Sequence, residues 1–301
     1  MPLNLKHSML AIEAESTPGT AETLVDADAT FHVFNLTLPS FDFNVPELER
    51  QGTMDMVSAE AGMITGTISF EVPLQYFIVD LAPALGLSVS ATTLWAPDSD
   101  SSNWGTVTAG YYLDGRLHRL SGCMGNAVWR FAVGQVPVLA VTLSGVYVPP
   151  GAAAVLAGSI PEWSGSGMPT FKGDTLTIDG NDQCASELTF DLGNTVEPIE
   201  KASAAYGVSR FWIGNRKPTG TINPLAELLA TYNNWTDIVS GDEVAISCVY
   251  DTTRTLSIPK ANLFELNLGE RGTKAAELLG FRAAAGASGD DSFTYDTDNS
   301  D

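Results

Sequence analysis

Apolar and polar residues alternate strictly along the segment MITGTISFEV, which runs from Met63 to Val72. Successive side chains of a β-strand point to opposite faces, so this alternation predicts a strand with one buried and one solvated face. The buried face would carry Ile64, Gly66, Ile68, Phe70 and Val72, and the solvated face Thr65, Thr67, Ser69 and Glu71.

Helical spacing follows this strand. An i, i+3, i+4, i+7 pattern of apolar residues predicts an amphipathic helix, which Pro83 and Gly86 would end. Its apolar residues are Leu74, Phe77, Ile78 and Leu81.

A second helix of the same kind is predicted further along the chain. Asn223 suits an N-cap, and Pro224 suits the first helical position. The apolar residues of this helix would be Leu225, Leu228, Leu229 and Tyr232.

Several segments occur twice in the same order. TGTI lies at Thr65–Ile68 and again at Thr219–Ile222, and each copy follows a Phe-Asp pair, Phe41-Asp42 or Phe190-Asp191. Gly134 and Gly145 are matched by Gly269 and Gly280 at an offset of about 135 residues. This offset aligns Trp129, Phe131 and Val133 with Phe264, Leu266 and Leu268. Any two strands ending in glycine look alike, but the shared order favours an internal duplication.

The repeat and the turn residues divide the chain into two strand-rich units. Asp114-Gly115 predicts a tight hairpin turn, and each unit contains several strands and one helix. We therefore predict a mainly β protein with two tandem domains, each a β-sandwich or partly closed barrel with one flanking helix. The predicted boundaries are residues 1–147, a Pro/Gly/Ala-rich linker at 148–169, a second domain at 170–295 and an acidic tail at 296–301.

Composition fits a globular chain with buried cores. Of 301 residues, 44% are hydrophobic and 17% are charged, and the formal net charge is −21. That charge would repel nucleic acid. The apolar runs are shorter than the roughly 20 residues of a membrane helix, and the first residues lack the apolar segment of a secretion signal. Cys123, Cys184 and Cys248 form no CxxC pair and are expected to be reduced.

The chain resembles the tail tube proteins of long, non-contractile bacteriophage tails. The resemblance rests on HSMLAIEAESTPGTAETLVDADA, GTISFEVPL, YYLDGRLHRLSGCMGNAVWRFAVGQVPVLAVTLSGVY, LTFDLGN and PTGTI, and it covers nearly the whole chain. It implies a sandwich with a flanking helix that forms rings, and rings that stack into a hollow tube in the virion tail. The protein would be synthesised and assembled in the host bacterial cytoplasm.

The partners implied by the resemblance are other tail components and further copies of the chain. They are the tape-measure protein, the tail terminator, tail-tip proteins and double-stranded DNA passing through the bore without specific binding. Single-domain members form six-fold rings, so a chain with two tube-like units predicts a homotrimeric, pseudo-hexameric ring.

An acidic, irregular segment separates the opening strand from the TGTI strand in both units. Long connections inside compact domains are uncommon unless they have a function, so these loops are candidates to reach the adjacent ring. The candidate residues are Glu47, Glu49, Arg50, Met54, Met56, Glu197, Glu200 and Lys201. Ordinary solvated loops are the alternative.

The sequence shows no catalytic, cofactor or metal signature. His7, His32 and His118 lie far apart, and the chain has neither a GxSxG motif nor a phosphate-binding glycine loop. We therefore expect a structural protein that is not an enzyme and uses no cofactor or metal. A carbohydrate- or receptor-binding sandwich of a tail tip or fibre is the alternative, and it would place several tryptophans on one face.

Overall fold

A computed structural model provides the fold of the chain. It describes residues 3–29, 31–49, 51–52, 56–57, 60–74, 80–90, 94–157, 168–182, 184–229, 231–251, 254–286 and 289–297. Strands account for 54% of the residues and helices for 6%, so the protein is mainly β, as predicted. Across these described ranges sixteen strands form one large antiparallel sheet that does not close into a barrel, and four further strands form two separate two-stranded sheets.

Ten strands, one short helix and a 3₁₀ turn at Asp26–Ala29 make up the first half of the chain. The strands are β1 (Ser8–Ala14), β2 (Ser40–Phe43), β3 (Leu48–Glu49), β4 (Met56–Val57), β5 (Ile64–Pro73), β6 (Leu87–Ser90), β7 (Leu94–Pro97), β8 (Val107–Leu113), β9 (Arg116–Ala132) and β10 (Val138–Ala152). Helix α1 spans Leu81–Ala84.

The second half contains ten further strands and helix α2, which spans Asn234–Ser240. The strands are β11 (Thr175–Ile178), β12 (Asn181–Asp182), β13 (Glu187–Asp191), β14 (Asn194–Glu200), β15 (Val208–Arg216), β16 (Thr219–Ile222), β17 (Glu243–Tyr250), β18 (Arg254–Arg271), β19 (Lys274–Ala283) and β20 (Thr294–Asp296).

Both halves pair their strands in the same order. The first half runs β1-β8-β9-β10-β5-β2. The second runs β11-β17-β18-β19-β16-β13. Ser40 faces Thr67 on β5, and Thr189 faces Thr221 on β16, so the two TGTI strands hold their neighbours in the same register.

The residue-level match of the two halves differs from the constant offset expected from the glycines. Thr67 pairs with Ser144, and Thr221 pairs with Gly280, so Gly280 corresponds to Ser144 and not to Gly145. Following the ladders one strand further, Trp129 corresponds to Glu270 and not to Phe264. The connection between β9 and β10 is longer than that between β18 and β19, so a single offset cannot fit both strands.

The alternation along β5 is confirmed by its burial, because Ile64, Ile68, Phe70 and Val72 are buried. The hairpin turn is confirmed as well: Asp114 and Gly115 have φ values of 43° and 93°, and β8 and β9 flank them. Two consecutive positive φ angles match the right-handed twist of the strands that they join.

The helix predicted from Pro224 is wrong. Leu225 forms a β-bridge with Ala276, and Leu228 is 79% exposed, so this apolar spacing belongs to an extended segment. Asn223 does not cap a helix; its Oδ1 accepts hydrogen bonds from the backbone N–H groups of Ser186 and Glu187 at 2.9 and 2.8 Å. The helix of this half begins later, where the Asn233 side chain accepts from the N–H of Thr236 at 3.2 Å.

The helix of the first half is short in the part that the structure describes. Leu81 and Ala84 bound a helix that contains Pro83, which the sequence placed at its end. Phe77 and Ile78, two of the four residues that predicted it, lie outside the described residues.

One apolar core extends through both halves. Trp95, Trp129, Phe190, Phe281 and Phe293 are among the large side chains that are fully buried in it. The C-terminal strand β20 closes this core, pairing with β18 on one side and β7 on the other.

Two of the predicted domain boundaries, at 147/148 and 295/296, fall within strands of the structure. Strand β10 continues to Ala152, whereas the linker was expected from Val148, and residues 158–167 of that linker lie outside the described residues. Of the expected acidic tail, Asp296 belongs to β20, and residues 298–301 also lie outside them.

Candidate functional site: assembly surfaces of the sheet

The two halves are joined edge to edge through β13 and β9. Phe190 faces Trp129, and Asp191 faces Val128 in an antiparallel ladder. The ladder extends beyond the strands at both ends, with Leu192 N–H donating to Ala127 O at 3.0 Å and Val133 N–H donating to Ser186 O at 2.9 Å. The second half therefore continues the sheet of the first.

Aromatic packing supports this joint from one face. The ring of Trp129 lies 5.7 Å from Phe190, 5.6 Å from Phe293 and 6.1 Å from Tyr295, measured between ring centroids. All four residues are buried. Aromatic clusters of this kind contribute packing energy beyond that of the buried area alone.

Polar side chains hold the other side of the joint. Asn126 Nδ2 donates to Asp191 Oδ1 at 2.7 Å, and Asn126 Oδ1 accepts from the N–H of Asn194 at 3.0 Å. The Asn194 Nδ2 donates in turn to the carbonyls of Gly125 and Leu85 at 3.0 and 2.9 Å. These bonds fix where the chain leaves β13, and with it the course of the following hairpin.

That hairpin, β14–β15, lies across the first half. Val208, Phe211 and Ile213 form a separate apolar cluster with Met124 and Val146 of β9 and β10. The backbones come so close at Gly122 that a Cβ atom there would lie 2.9 Å from the Arg210 Cα, and Gly122 has a φ of 58°. Both the contact and the backbone angle require glycine.

Hydrogen bonds to the Glu15 carboxylate join the N-terminal segment to the region around Gly122. The Glu15 carboxylate accepts from the N–H groups of Gly19 and Gly122 at 2.7 Å each. It also accepts from the hydroxyls of Thr106 and Thr108 at 2.6 and 2.9 Å. Sequence reasoning did not identify Glu15, because three of its four partners, Thr106, Thr108 and Gly122, are far from it in the chain.

Several strand edges lack a neighbouring strand in the described part of the chain, among them two in the large sheet that carry exposed apolar side chains. One is β2, which ends the path of strands. The other is the stretch of β18 from Asn267 to Arg271, on the side away from β19. Each edge carries an exposed apolar side chain, Phe43 (49% exposed) on β2 and Leu268 (67%) on β18. Unpaired edges with apolar side chains are favourable sites for pairing with another chain.

One face of the central sheet is rich in hydroxyl groups. Ser40 and Thr67 approach at 2.9 Å between hydroxyl oxygens, Ser69 and Thr142 at 3.0 Å, and Thr189 and Thr221 at 2.7 Å. On the same face Arg130 Nη1 donates to Glu71 Oε1 at 2.8 Å. The opposite face is the buried core, so this hydroxyl face is the solvated one.

A family model described as phage tail tube protein matches residues 7–298. This chain belongs to the phage tail tube protein family. The tail tube family is a structural one, and membership makes the chain a component of the virion tail that self-assembles into a tube with other tail proteins. Comparison with curated proteins gave no match.

Some of the loop residues singled out in this tail tube sequence come together on one hairpin. Glu197 and Glu200 lie on β14 with exposed side chains, and Lys201 opens the turn, its N–H donating to Gly207 O at 2.8 Å. These three residues therefore follow one another along the outer part of the β14–β15 hairpin.

The corresponding residues of the first half are described less fully. Glu47 is exposed ahead of β3, and Glu49 of β3 pairs with Met56 of β4. Arg50 and Met54 lie outside the described residues. The short β3–β4 ladder occupies the place in the strand order that β14–β15 occupies in the second half.

Over the ranges that the structure describes, no three His, Cys, Asp or Glu side chains are grouped to hold a metal ion. None of the helices in those ranges is both long and apolar enough to cross a bilayer.

Proposed function

We propose that this chain polymerises into rings that stack into the tube of a long, non-contractile tail, through which the genome leaves. The observation that carries the proposal is the shared strand order of the two halves, joined edge to edge through β13 and β9. A unit that already continues the sheet of another unit within one chain is suited to do so between chains. Membership of the tail tube family also supports the proposal.

The proposed number of chains in the ring depends on each chain supplying two units to its wall. We infer that residues 1–147 and 170–295 are two tube-like domains joined by the 148–169 linker, which occupy neighbouring places in the wall. Three chains would then supply six units, a homotrimeric and pseudo-hexameric ring. The edges of β2 and β18 differ, so neighbouring chains would meet through unlike patches, as ring closure requires.

The hydroxyl face is the best candidate for the wall of the bore. The hydroxyl groups of Thr189, Thr221 and Thr142 offer neutral hydrogen bonds to water, which do not hold phosphate as Lys or Arg would. The chain carries 36 acidic and 15 basic residues, and an excess of acidic side chains along the bore is part of the proposal. Repulsion acting over a Debye length of about 8 Å keeps DNA from adhering to the wall.

Stacking of rings needs contacts along the tube axis. The two hairpins, with Glu47, Glu49 and Met56 at the first and Glu197, Glu200 and Lys201 at the second, are proposed to reach the adjacent ring. Arg50 and Met54 belong to the same proposal by sequence alone, because they lie outside the described residues. Exposed charges at the β14–β15 end support this role. The tape-measure protein would fill the bore during assembly in the host cytoplasm, and terminator and tip proteins would close the two ends.

The alternative is a glycan- or receptor-binding module, which would need several tryptophans on one accessible face. Trp95 and Trp129 are fully buried, and Trp104 packs against Trp212 with ring centroids 5.0 Å apart. Trp235 is 44% exposed and lies on α2, and Trp163 lies outside the described residues. This distribution favours packing roles.

Electron microscopy of the purified protein, alone and with a tail initiator complex, tests the proposal. We expect rings or tubes with a central hole. Monomers that bind glycans on an array and never form rings would contradict the structural role and favour the alternative.

A further inference from the structure

We propose that the edge of β2 in one chain pairs with the edge of β18 in the next, in the register that β13 and β9 adopt within a single chain. The proposal rests on the ring assembly proposed above and names the surfaces that join its chains. The partner is a second copy of this chain.

The equivalence of β2 and β13 follows from their shared neighbour. Asp42 faces Thr65 and Phe41 faces Gly66 on β5, while Asp191 faces Thr219 and Phe190 faces Gly220 on β16. Both strands therefore lie beside the same residues of TGTI in the same register. Phe43 and Leu192, the next residues, occupy equivalent positions.

The equivalence of β9 and β18 follows from the ladders on the other side of TGTI. Leu143 and Leu279 both pair with the isoleucine of TGTI, Ile68 or Ile222. Their partners on the next strand are Gly125 and Leu266. Counting along the strands from these two residues, Ala127 corresponds to Leu268 and Val128 to Gly269.

These equivalences give the register between chains. Within the chain, Leu192 donates its N–H to Ala127 O, and Asp191 faces Val128. Between chains, Phe43 N–H would donate to Leu268 O, and Asp42 would face Gly269. By this count the residues of β9 that pair with β13, 128–132, correspond to residues 269–273, of which Gly269 to Arg271 lie on β18, and no strand of the described chain covers that part of β18 on this side.

The exposed apolar side chains agree with this register. Leu192 and Ala127 are fully buried at the internal joint, whereas Phe43 and Leu268 are exposed in the single chain. Pairing would bring Phe43 and Leu268 together and remove both from water. The two joints are equivalent in backbone register but not in side chains. Glu270 of β18, for example, occupies the position that corresponds to Trp129 of β9.

The pair Asp42–Gly269 offers a site for a disulfide cross-link. Hydrogen-bonded and non-hydrogen-bonded pairs alternate along an antiparallel ladder, so the bond from Leu192 N–H to Ala127 O places Asp191 and Val128 in a non-hydrogen-bonded pair. The Cα atoms of such a pair are about 4.5 Å apart, a distance that a disulfide spans. A Cβ at Gly269 meets no atom within 4 Å, so cysteine fits there.

The test is air oxidation of Asp42→Cys/Gly269→Cys in a Cys184→Ser background, because Cys184 is exposed and Cys123 and Cys248 are buried. We expect chain–chain cross-links on a gel without reductant. The matched control Asp42→Cys/Glu270→Cys places its thiols on opposite faces of the paired strands and should not cross-link. Phe43→Asp should weaken assembly about tenfold or more with the monomer still folded. Leu228→Asp, on an exposed loop, should not.

The possible outcomes distinguish a failure of the proposed β2–β18 interface from a failure of the proposed ring assembly. Cross-links in the Asp42/Gly269 variant alone support the register. Rings in the microscope, with cross-linking absent or equal in the control, would overturn the β2–β18 pairing and leave the tube intact. A protein that forms no rings and no cross-links under any condition would overturn both.

Discussion

Leu192 donates its backbone N–H to the carbonyl oxygen of Ala127 at 3.0 Å, and this bond carries the sheet from one half of the chain into the other. Both residues are fully buried. The joint is therefore part of the core of the protein and differs from the loose contact of two domains on a flexible linker.

Removing Trp129 should destabilise the whole chain because its ring packs on residues from both halves. Trp129→Ala is expected to lower the free energy of unfolding by about 3–5 kcal/mol in denaturant titrations. Trp235→Ala is the matched control: that side chain is 44% exposed, and the change should cost less than about 1 kcal/mol. Equal losses in the two variants would mean that Trp129 does not bridge the halves.

Gly122 should tolerate no side chain, because the β14–β15 hairpin touches it. Gly122→Ala adds a Cβ only 2.9 Å from the Arg210 Cα at a φ of 58°. The comparison is Gly134→Ala, where φ is 79° and no atom lies within 4 Å. Gly134→Ala should cost about 1–2 kcal/mol of backbone strain, and Gly122→Ala about 1–3 kcal/mol more. Equal unfolding free energies would place the hairpin away from Gly122.

Glu13 should make the stability of the chain depend on pH. Loss of hydration and the neighbouring Asp28 raise the pKa of Glu13 from 4.5 to about 7. The folded chain thus holds a proton that the unfolded chain releases, so this contribution to stability is present below pH 4.5 and is lost as pH rises through about 7.

Glu13→Gln cannot release that proton and should remove this part of the dependence. Thermal unfolding of both proteins from pH 4.5 to pH 8 measures the difference. The melting temperature of Glu13→Gln minus that of the unchanged protein should increase as pH rises. A difference that stays constant with pH would argue against a raised pKa of Glu13.

Charge on the hydroxyl face should control passage of DNA. Glu187 lies on β13 and Glu265 on β18, and both side chains are exposed. Glu187→Lys/Glu265→Lys should leave tube assembly intact and slow genome ejection, since added cations attract phosphates. Asp182→Lys/Glu227→Lys makes the same change of charge away from this part of the sheet. Equal ejection rates for the two variants would contradict the assignment of the hydroxyl face to the wall of the bore.

Much of the strand pattern could be read from the sequence, because a strand with one solvated face alternates. The β5 strand and the Asp114-Gly115 turn are examples, and the mainly β class followed from them. The repeat of TGTI also marked positions that take the same register in the sheet.

The errors have physical causes. Leu225, Leu228 and Leu229 have helical spacing, but Leu225 bridges to Ala276, so tertiary pairing overrides local preference. Asn223 was predicted as an N-cap, but its side chain accepts hydrogen bonds from the backbone N–H groups of Ser186 and Glu187, which lie far from it in sequence. Composition gives no information on such partners.

The proposed assembly surfaces could be predicted only in part. The sequence singled out Glu197, Glu200 and Lys201 as part of an acidic connection expected to be irregular, whereas Glu197 and Glu200 lie on strand β14; their contact with an adjacent ring stays a prediction. The edges at Phe43 and Leu268 were not found, because an exposed apolar residue in a strand resembles a buried one until the neighbouring strands are known.

The stoichiometry of the assembled ring tests most directly whether two fused units share its wall. Symmetry from electron micrographs, together with the mass of isolated rings, would count the chains. Two units per chain predict a ring of three chains with six similar lobes. A ring of six full-length chains would contradict it, because one unit of each chain would then have no place in the wall.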